Sequence, residues 1–171
     1  MNPAIRRARA QDATYLPDIE RSAGERFRSL QELAWIADDD PTPIEEHLDH
    51  IAAGTVWVAE NAIGEITGFV MAESIDDDLH IWEFAVRHED QRQGIGQALI
   101  RAASANAVAA GLKAVTLTTF RTVDWNEPFY ARLGFETLLG PAIGTRLLEV
   151  LAREVADGLP GERRCAMRLA L

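Results

Sequence analysis

The chain has a single cysteine, Cys165, so no disulfide can close within it. One thiol also falls short of a zinc site, which needs several ligands, and no metal is expected. The cytoplasm, where thiols stay reduced, is the expected compartment. No apolar run approaches the roughly 20 residues that cross a bilayer, so no membrane partner is expected. The opening stretch, MNPAIRRARAQDA, lacks the apolar core of a secretory signal. Basic residues are also in short supply: seventeen against twenty-seven acidic ones leave a formal net charge of −10. Such a surface repels a phosphate backbone, which argues against general nucleic-acid binding. Low-complexity tracts and internal repeats are missing too.

What is present is 171 residues, 47% hydrophobic and 26% charged, the balance of one globular domain spanning residues 1–171. Acidity is common in soluble proteins, and it also suits a cleft that attracts a cationic molecule. Any bound anion must therefore be held by local geometry.

Ile5 to Arg9 reads as a short strand. Apolar positions at Leu16, Ile19, Ala23, Phe27 and Leu30 give Asp12 to Trp35 a helical period, with Gly24 as its weak point. A second helix is expected from Thr42 or Pro43 to Ile51, closed by Gly54. TVWVAE and GEITGFVMAES read as strands joined by the turn NAIGE, and DLHIWEFAV continues them as an antiparallel meander. Gln97 to Ala110 is alanine-rich and helical up to Gly111. KAVTLTTF is a strand, and a strand–helix–strand crossover of this kind makes it parallel to DLHIWEFAV. NEPFYARLG is a short helix, FETLL a strand, GTRLLEVLAREVADG a helix and RRCAMRLAL a closing strand. The pattern is α+β: one mixed, mostly antiparallel sheet with helices on both faces.

Between EFAV and the alanine-rich helix lies QRQGIG, residues 91–96. A dinucleotide fingerprint would need a third glycine where Leu99 stands, and a Walker loop would need Gly-Lys-Ser/Thr. Neither is present. The setting still suits an anion, because the first-turn N–H groups of a helix lack internal partners and carry the positive end of its dipole. Gly94 and Gly96 would let a pyrophosphate approach the backbone, and Arg92 adds a fixed charge.

FAVRHEDQRQGIGQALI resembles the acetyl-CoA loop of the GCN5-related N-acetyltransferases, Gln/Arg-x-x-Gly-x-Gly/Ala, with Gln91, Gly94 and Gly96 in the three fixed positions. Further on, WNEPFYARLGF resembles the family's second signature, a helix with Asn and Tyr followed by Leu-Gly-Phe. The strand order also fits the family's fold from end to end. The resemblance implies transfer of an acetyl group from acetyl-CoA to an amine. It implies that Phe84, Ala85 and Val86 pair with pantetheine, and that Gln91, Arg92, Gln93, Gly94, Ile95 and Gly96 hold the pyrophosphate. Asn126 and Tyr130 would lie near the pantetheine arm and the sulfur. Two departures stand out: Asn126 and Tyr130 are four apart where about seven is common, and Arg92 occupies a position where glycine is common. The short spacing leaves Asn126 either a cofactor contact or the cap of its helix.

An alkyl ammonium with a pKa of about 10.4 is almost wholly protonated at neutral pH, so the reaction needs a base. Glu83 in HIWEFAV is the candidate, acting directly or through water; strand alternation groups it with Ile81 and Ala85, opposite Trp82 and Phe84. Tyr130, with a phenol pKa of about 10, would donate to the departing thiolate. The Val86 N–H would meet the oxyanion. Glu46, His47 and His50 share a helix, but their i,i+3 histidines without further partners read as a solvated face. His80 is a minor alternative base. Asp76, Asp77 and Asp78 read as a solvated acidic turn that could greet a cationic acceptor. Asp124 and Trp125 read as a cap and a core anchor, or as a wall of the acceptor site.

The acceptor, a primary amine of a small molecule or peptide, would sit between Phe27–His50 and a last hairpin around Gly140–Gly144. The acidic balance favours a cationic one, and a homodimer is allowed for. A coenzyme-A-binding sensor without transfer activity is the alternative, and the presence of both Glu83 and Tyr130 speaks against it.

Overall fold

A computed structural model of the protein describes residues 3–171. Seven strands form one sheet: β1 (Ala4–Arg7), β2 (Val56–Glu60), β3 (Ile66–Ile75), β4 (Asp78–Val86), β5 (Ala114–Phe120), β6 (Glu136–Thr137) and β7 (Arg164–Ala170). Their order is β1-β2-β3-β4-β5-β7-β6. β1–β2, β2–β3, β5–β7 and β6–β7 run antiparallel, and β4–β5 runs parallel, as the crossover required. The helices are α1 (Leu16–Gly24), α2 (Ile44–Ala52), α3 (Ile95–Ala109), α4 (Glu127–Arg132) and α5 (Gly144–Ala156). This is the expected α+β class. The chain forms two compact units. One runs to Glu73 and includes Trp82–Asn106; the other is Ser74–Ile81 with Ala107–Leu171.

In the first unit, the β-branched run of β2 faces β3 in the register Val56↔Met71 and Val58↔Phe69. Those four side chains and Leu16 and Ile19 of α1 form a buried cluster. The other face of β3 is held close by Gly68. A Cβ there would lie 2.9 Å from the Ala85 carbonyl oxygen and 3.2 Å from Leu99 of α3. Helices thus cover both faces of this half.

The helix expected over Asp12–Trp35 is broken. Only Leu16–Gly24 is α-helical; Glu25–Ser29 and Gln31–Asp38 are 3₁₀ turns. The chain folds back there: a Cβ on Gly24 would stand 3.6 Å from the Ala37 Cα, an ordinary contact distance, and Gly24 itself keeps right-handed helical backbone. The first strand starts and ends earlier than expected, at Ala4 and Arg7, and Arg6 is tied to Asp12 and Glu60. The histidine face of α2 also needs correction. His47 is fully buried, edge-on to Phe69 with ring centroids 5.2 Å apart, and His50 Nδ1 lies 3.0 Å from the Ala72 carbonyl. Burial pushes the His47 imidazole down to about 4. Among the described residues no cluster could hold a metal ion.

In the second unit, β5 pairs with β7 along its whole length, from Ala114↔Ala170 to Phe120↔Arg164. Glu154 anchors α5 by accepting from Thr118 of β5 and Arg164 of β7. FETLL shrinks to the two residues of β6, after which Leu138 still reaches β7 through its N–H to the Ala166 carbonyl at 2.9 Å. The expected hairpin at Gly140–Gly144 is a 3₁₀ turn, Gly140–Ile143, that opens into α5, so a whole helix separates β6 from β7. The acidic turn is only partly solvated. Asp77 pairs with Lys113, and Asp78 opens β4 beside Arg146. Cys165 is buried on β7 with its thiol pushed up to about 11, which removes it as a nucleophile.

Candidate active site

The donor half of the site grows from the end of β4. The β4–β5 ladder covers Asp78↔Ala114 to Ile81↔Leu117, the first four of nine β4 residues. Beyond it the strand departs from regular alternation. Trp82 and Ala85 both pack against the α1 cluster, although residues three apart in a regular strand face opposite ways. The irregularity therefore falls on Glu83 and Phe84, so the simple grouping of Glu83 with Ile81 and Ala85 does not hold. Glu83 Oε1 accepts the Phe84 N–H at 2.9 Å, which orients the carboxylate along the backbone. The Arg87 N–H donates to the Thr67 carbonyl of β3 at 2.8 Å. By alternation from Arg87, the Val86 N–H and C=O point away from β3. The Val86 carbonyl accepts from Gln91 Nε2 at 3.0 Å.

That contact gives Gln91 its role. Its amide braces the loop against the strand, with Arg26 Nη1 donating to its Oε1 at 3.3 Å. Gln93 Nε2 similarly reaches the Glu89 carbonyl at 3.2 Å. At the loop's base Arg87 is held between Asp90, at 2.5 Å, and Glu89, at 3.1 Å. The loop then turns through left-handed backbone twice, at Arg92 with φ +62° and Gly94 with φ +83°. Glycine tolerates this freely and arginine does not, so Arg92 holds a strained backbone. A Cβ on Gly94 would meet nothing within 4 Å, so the space above that backbone is open. The Ala98 N–H bonds to the Gly94 carbonyl at 3.0 Å and starts α3 two residues earlier than expected, at Ile95. Ile95 and Gly96 thus belong to the helix rather than the loop, and Ile95 is buried as its anchor. The N–H groups of Ile95, Gly96 and Gln97 precede the first intrahelical bond.

Asn126 and Tyr130 lie in the second unit. Asn126 stands at the start of α4, yet its side chain makes no capping bond. Nδ2 donates to Thr119 Oγ1 at 2.9 Å, and Oδ1 is buried without a hydrogen-bond partner. Tyr130 is 6% exposed and meets Phe129 and Phe135 edge-on, at 5.1 and 5.6 Å between ring centroids. His80 is fully buried, with Nδ1 2.9 Å from Thr116 Oγ1. Burial, helped by the nearby Arg146 charge, pushes it down to about 4, which disqualifies it as a base for an ammonium.

Two contributors escaped the sequence. Arg26 steadies Gln91 from a 3₁₀ turn with no motif of its own. Gly68 had a visible signal, since a glycine inside a strand marks close backbone approach.

A strand whose parallel ladder stops at Ile81, a glycine loop and the start of a long helix thus stand together at the end of β4 in an α+β fold. The sequence profile described as "Acetyltransferase (GNAT) domain" matches residues 52–137, about half of the chain. The protein belongs to the GNAT family of acetyltransferases. Its fold is shared with PaiA N-acetyltransferase from Thermoplasma acidophilum in complex with coenzyme A, at 17% identity and a TM-score of 0.72 over 100% of both chains. It is also similar to Rv2747 from Mycobacterium tuberculosis, solved with coenzyme A, at 22% identity and 0.70 over 99% of each chain. The ribosomal-protein-S18-alanine N-acetyltransferase from Escherichia coli matches at 17% identity and 0.69, covering 99% of this chain and 94% of that one. No helix among the described residues is long and apolar enough to cross a membrane.

Proposed function

We propose that residues 1–171 act as one N-acetyltransferase domain that moves acetyl from acetyl-CoA to a primary amine of a small molecule or peptide, by direct attack in a ternary complex. The observation that carries the proposal is the loop at Gly94. Left-handed backbone under open space leads straight into the uncapped N–H groups of α3, a fit for pyrophosphate that −10 of net charge would otherwise oppose. In this reading the backbone of Phe84, Ala85 and Val86 pairs with pantetheine, and Gln91 to Gly96 hold the phosphates. The unpartnered Asn126 Oδ1 is an acceptor suited to a pantetheine amide N–H. PaiA and Rv2747 hold coenzyme A in the same fold, which supports the donor.

The amine nitrogen attacks the thioester carbonyl carbon. Its proton passes to the Glu83 carboxylate, directly or through one water, and the new C–N bond forms as the C–S bond breaks. The oxyanion is met by the Val86 N–H, which points away from β3. The departing thiolate, with a pKa of about 8.5, takes a proton from the Tyr130 phenol. Attack by an amine at neutral pH otherwise carries a deprotonation cost of about 4–5 kcal/mol, which is the work assigned to Glu83.

An amine panel incubated with acetyl-CoA, read by mass detection of product and by coenzyme A release, tests the reading. Acetylated product from at least one primary amine is expected. Tight coenzyme A binding with no turnover on any amine would instead favour a cofactor-binding sensor.

A further inference from the structure

Outside the donor site, the most distinctive group of charged side chains lies in the second unit, where α5 begins. A cavity of about 220 Å³ is lined there by Asp78, Thr116, Arg146 and Arg168, with Leu138 and Ile143 among its apolar residues. Strand register brings the polar members together. Thr116 is the Cα partner of His80 on β4 and of Arg168 on β7, so its row is polar across three strands. Arg146 comes down onto this row from α5. Its Nη2 lies 3.2 Å from Thr116 Oγ1 and 3.3 Å from Asp78 Oδ2.

The charges do not balance. Two guanidiniums face one carboxylate, in a chain that is strongly acidic overall. Arg168 has no ion-pair partner among the described residues. Arg146 Nη1 is buried without a hydrogen-bond partner, a costly state for a charged donor. A guanidinium presents paired N–H groups that match a carboxylate in bidentate fashion. A dianion such as phosphate would be placed beside the Asp78 carboxylate, and a simple cation would face both arginines. A molecule with one carboxylate and one ammonium avoids both conflicts, and an apolar substituent suits Leu138 and Ile143.

We propose that this cavity binds a small zwitterion, a free α-amino acid with an apolar side chain, carboxylate toward Arg168 and Arg146 and ammonium toward Asp78. The site uses residues of the second unit alone and does not depend on the acetyl-transfer reading.

Calorimetric titration of the full chain with L-leucine, isovalerate, isoamylamine and inorganic phosphate tests it. L-Leucine binds saturably, isovalerate more weakly, and isoamylamine and phosphate not at all. Among the described residues the Arg168 side chain makes no hydrogen bond or ion pair, so in Arg168→Gln the unfolding midpoint stays unchanged while L-leucine affinity falls about tenfold or more. Asp78→Asn lowers L-leucine to the level of isovalerate. The proposal is overturned if L-leucine fails to bind at millimolar concentration, or if any of the other three probes binds as tightly. Unchanged L-leucine affinity in Arg168→Gln overturns it as well.

Discussion

The donor loop after β4 and the cavity at the start of α5 are built in opposite ways. The loop is one contiguous stretch, residues 82–96, and what it offers a ligand is mostly backbone: the N–H of Val86, the turn at Gly94 and the first N–H groups of α3. The cavity collects side chains from four distant places, Asp78, Thr116, Arg146 and Arg168. A contiguous backbone site leaves a spacing in the sequence. A site assembled by strand register and one helix leaves none.

The sharpest way to break this contrast is at Gly94. Gly94→Glu puts a side chain on left-handed backbone, at a cost of about 1–2 kcal/mol, and a negative charge where pyrophosphate is expected. Acetyl-CoA affinity should fall by roughly a hundredfold or more, read by calorimetry, while L-leucine binding in the cavity is untouched. Normal acetyl-CoA affinity in this variant would sink the cradle.

Tyr130→Phe should act on chemistry alone. The ring keeps its edge-on contacts with Phe129 and Phe135, so the core is preserved. Turnover is expected to drop about a hundredfold or more with acetyl-CoA affinity nearly unchanged, since proton donation contributes on that scale. If turnover is unaltered, Tyr130 leaves the mechanism and remains a core aromatic.

Gly68→Ala probes the support beneath the donor strand. The new Cβ would press on the Ala85 carbonyl oxygen at 2.9 Å, and backbone cannot rotate away as a side chain can. A loss of about 2–3 kcal/mol in urea unfolding is expected, with acetyl-CoA affinity weakened because Ala85 moves. Stability equal to that of the parent chain would mean that β3 and β4 yield more easily than their spacing indicates.

The same contrast explains how much could be read in advance. The left-handed turn at Gly94, the parallel crossover from β4 to β5 and the tyrosine helix lie where the residues implied, whereas Gly96 falls inside α3. The failures are all effects of distance. α1 ends at Gly24, where the chain folds back and brings Ala37, thirteen positions away in the sequence, into contact. The stretch after β6 becomes a 3₁₀ turn and a helix instead of a hairpin, and nothing in GPAIG distinguishes the two. Alternation failed at Glu83 because the irregularity comes from where Trp82 and Ala85 pack, not from a glycine or proline. Asn126 matches the motif in type, but its amide is turned to Thr119 of β5.

His47 is the clearest of these misses, and it carries the smallest predicted effect. Read as part of a solvated face, it is in fact buried, and both ring nitrogens lack hydrogen-bond partners. Burial lowers its pKa to about 4 in the folded state, against about 6.5 unfolded. The unfolded chain therefore binds the extra proton first, and stability is lost as pH falls from about 6.5 toward 4. Between pH 7 and pH 5 the penalty is about 2 kcal/mol. His80, also lowered to about 4, adds a loss of the same sign. Glu20 opposes both: its carboxyl, 4.0 Å from His47 Nε2, is raised by burial, and a raised acid stabilises the fold as pH falls. Comparing His47→Leu with the parent chain isolates the histidine from these neighbours. The variant should lose about 2 kcal/mol less than the parent between pH 7 and pH 5, read from urea midpoints. Equal losses in the two proteins would show that the imidazole gains its proton without leaving the core.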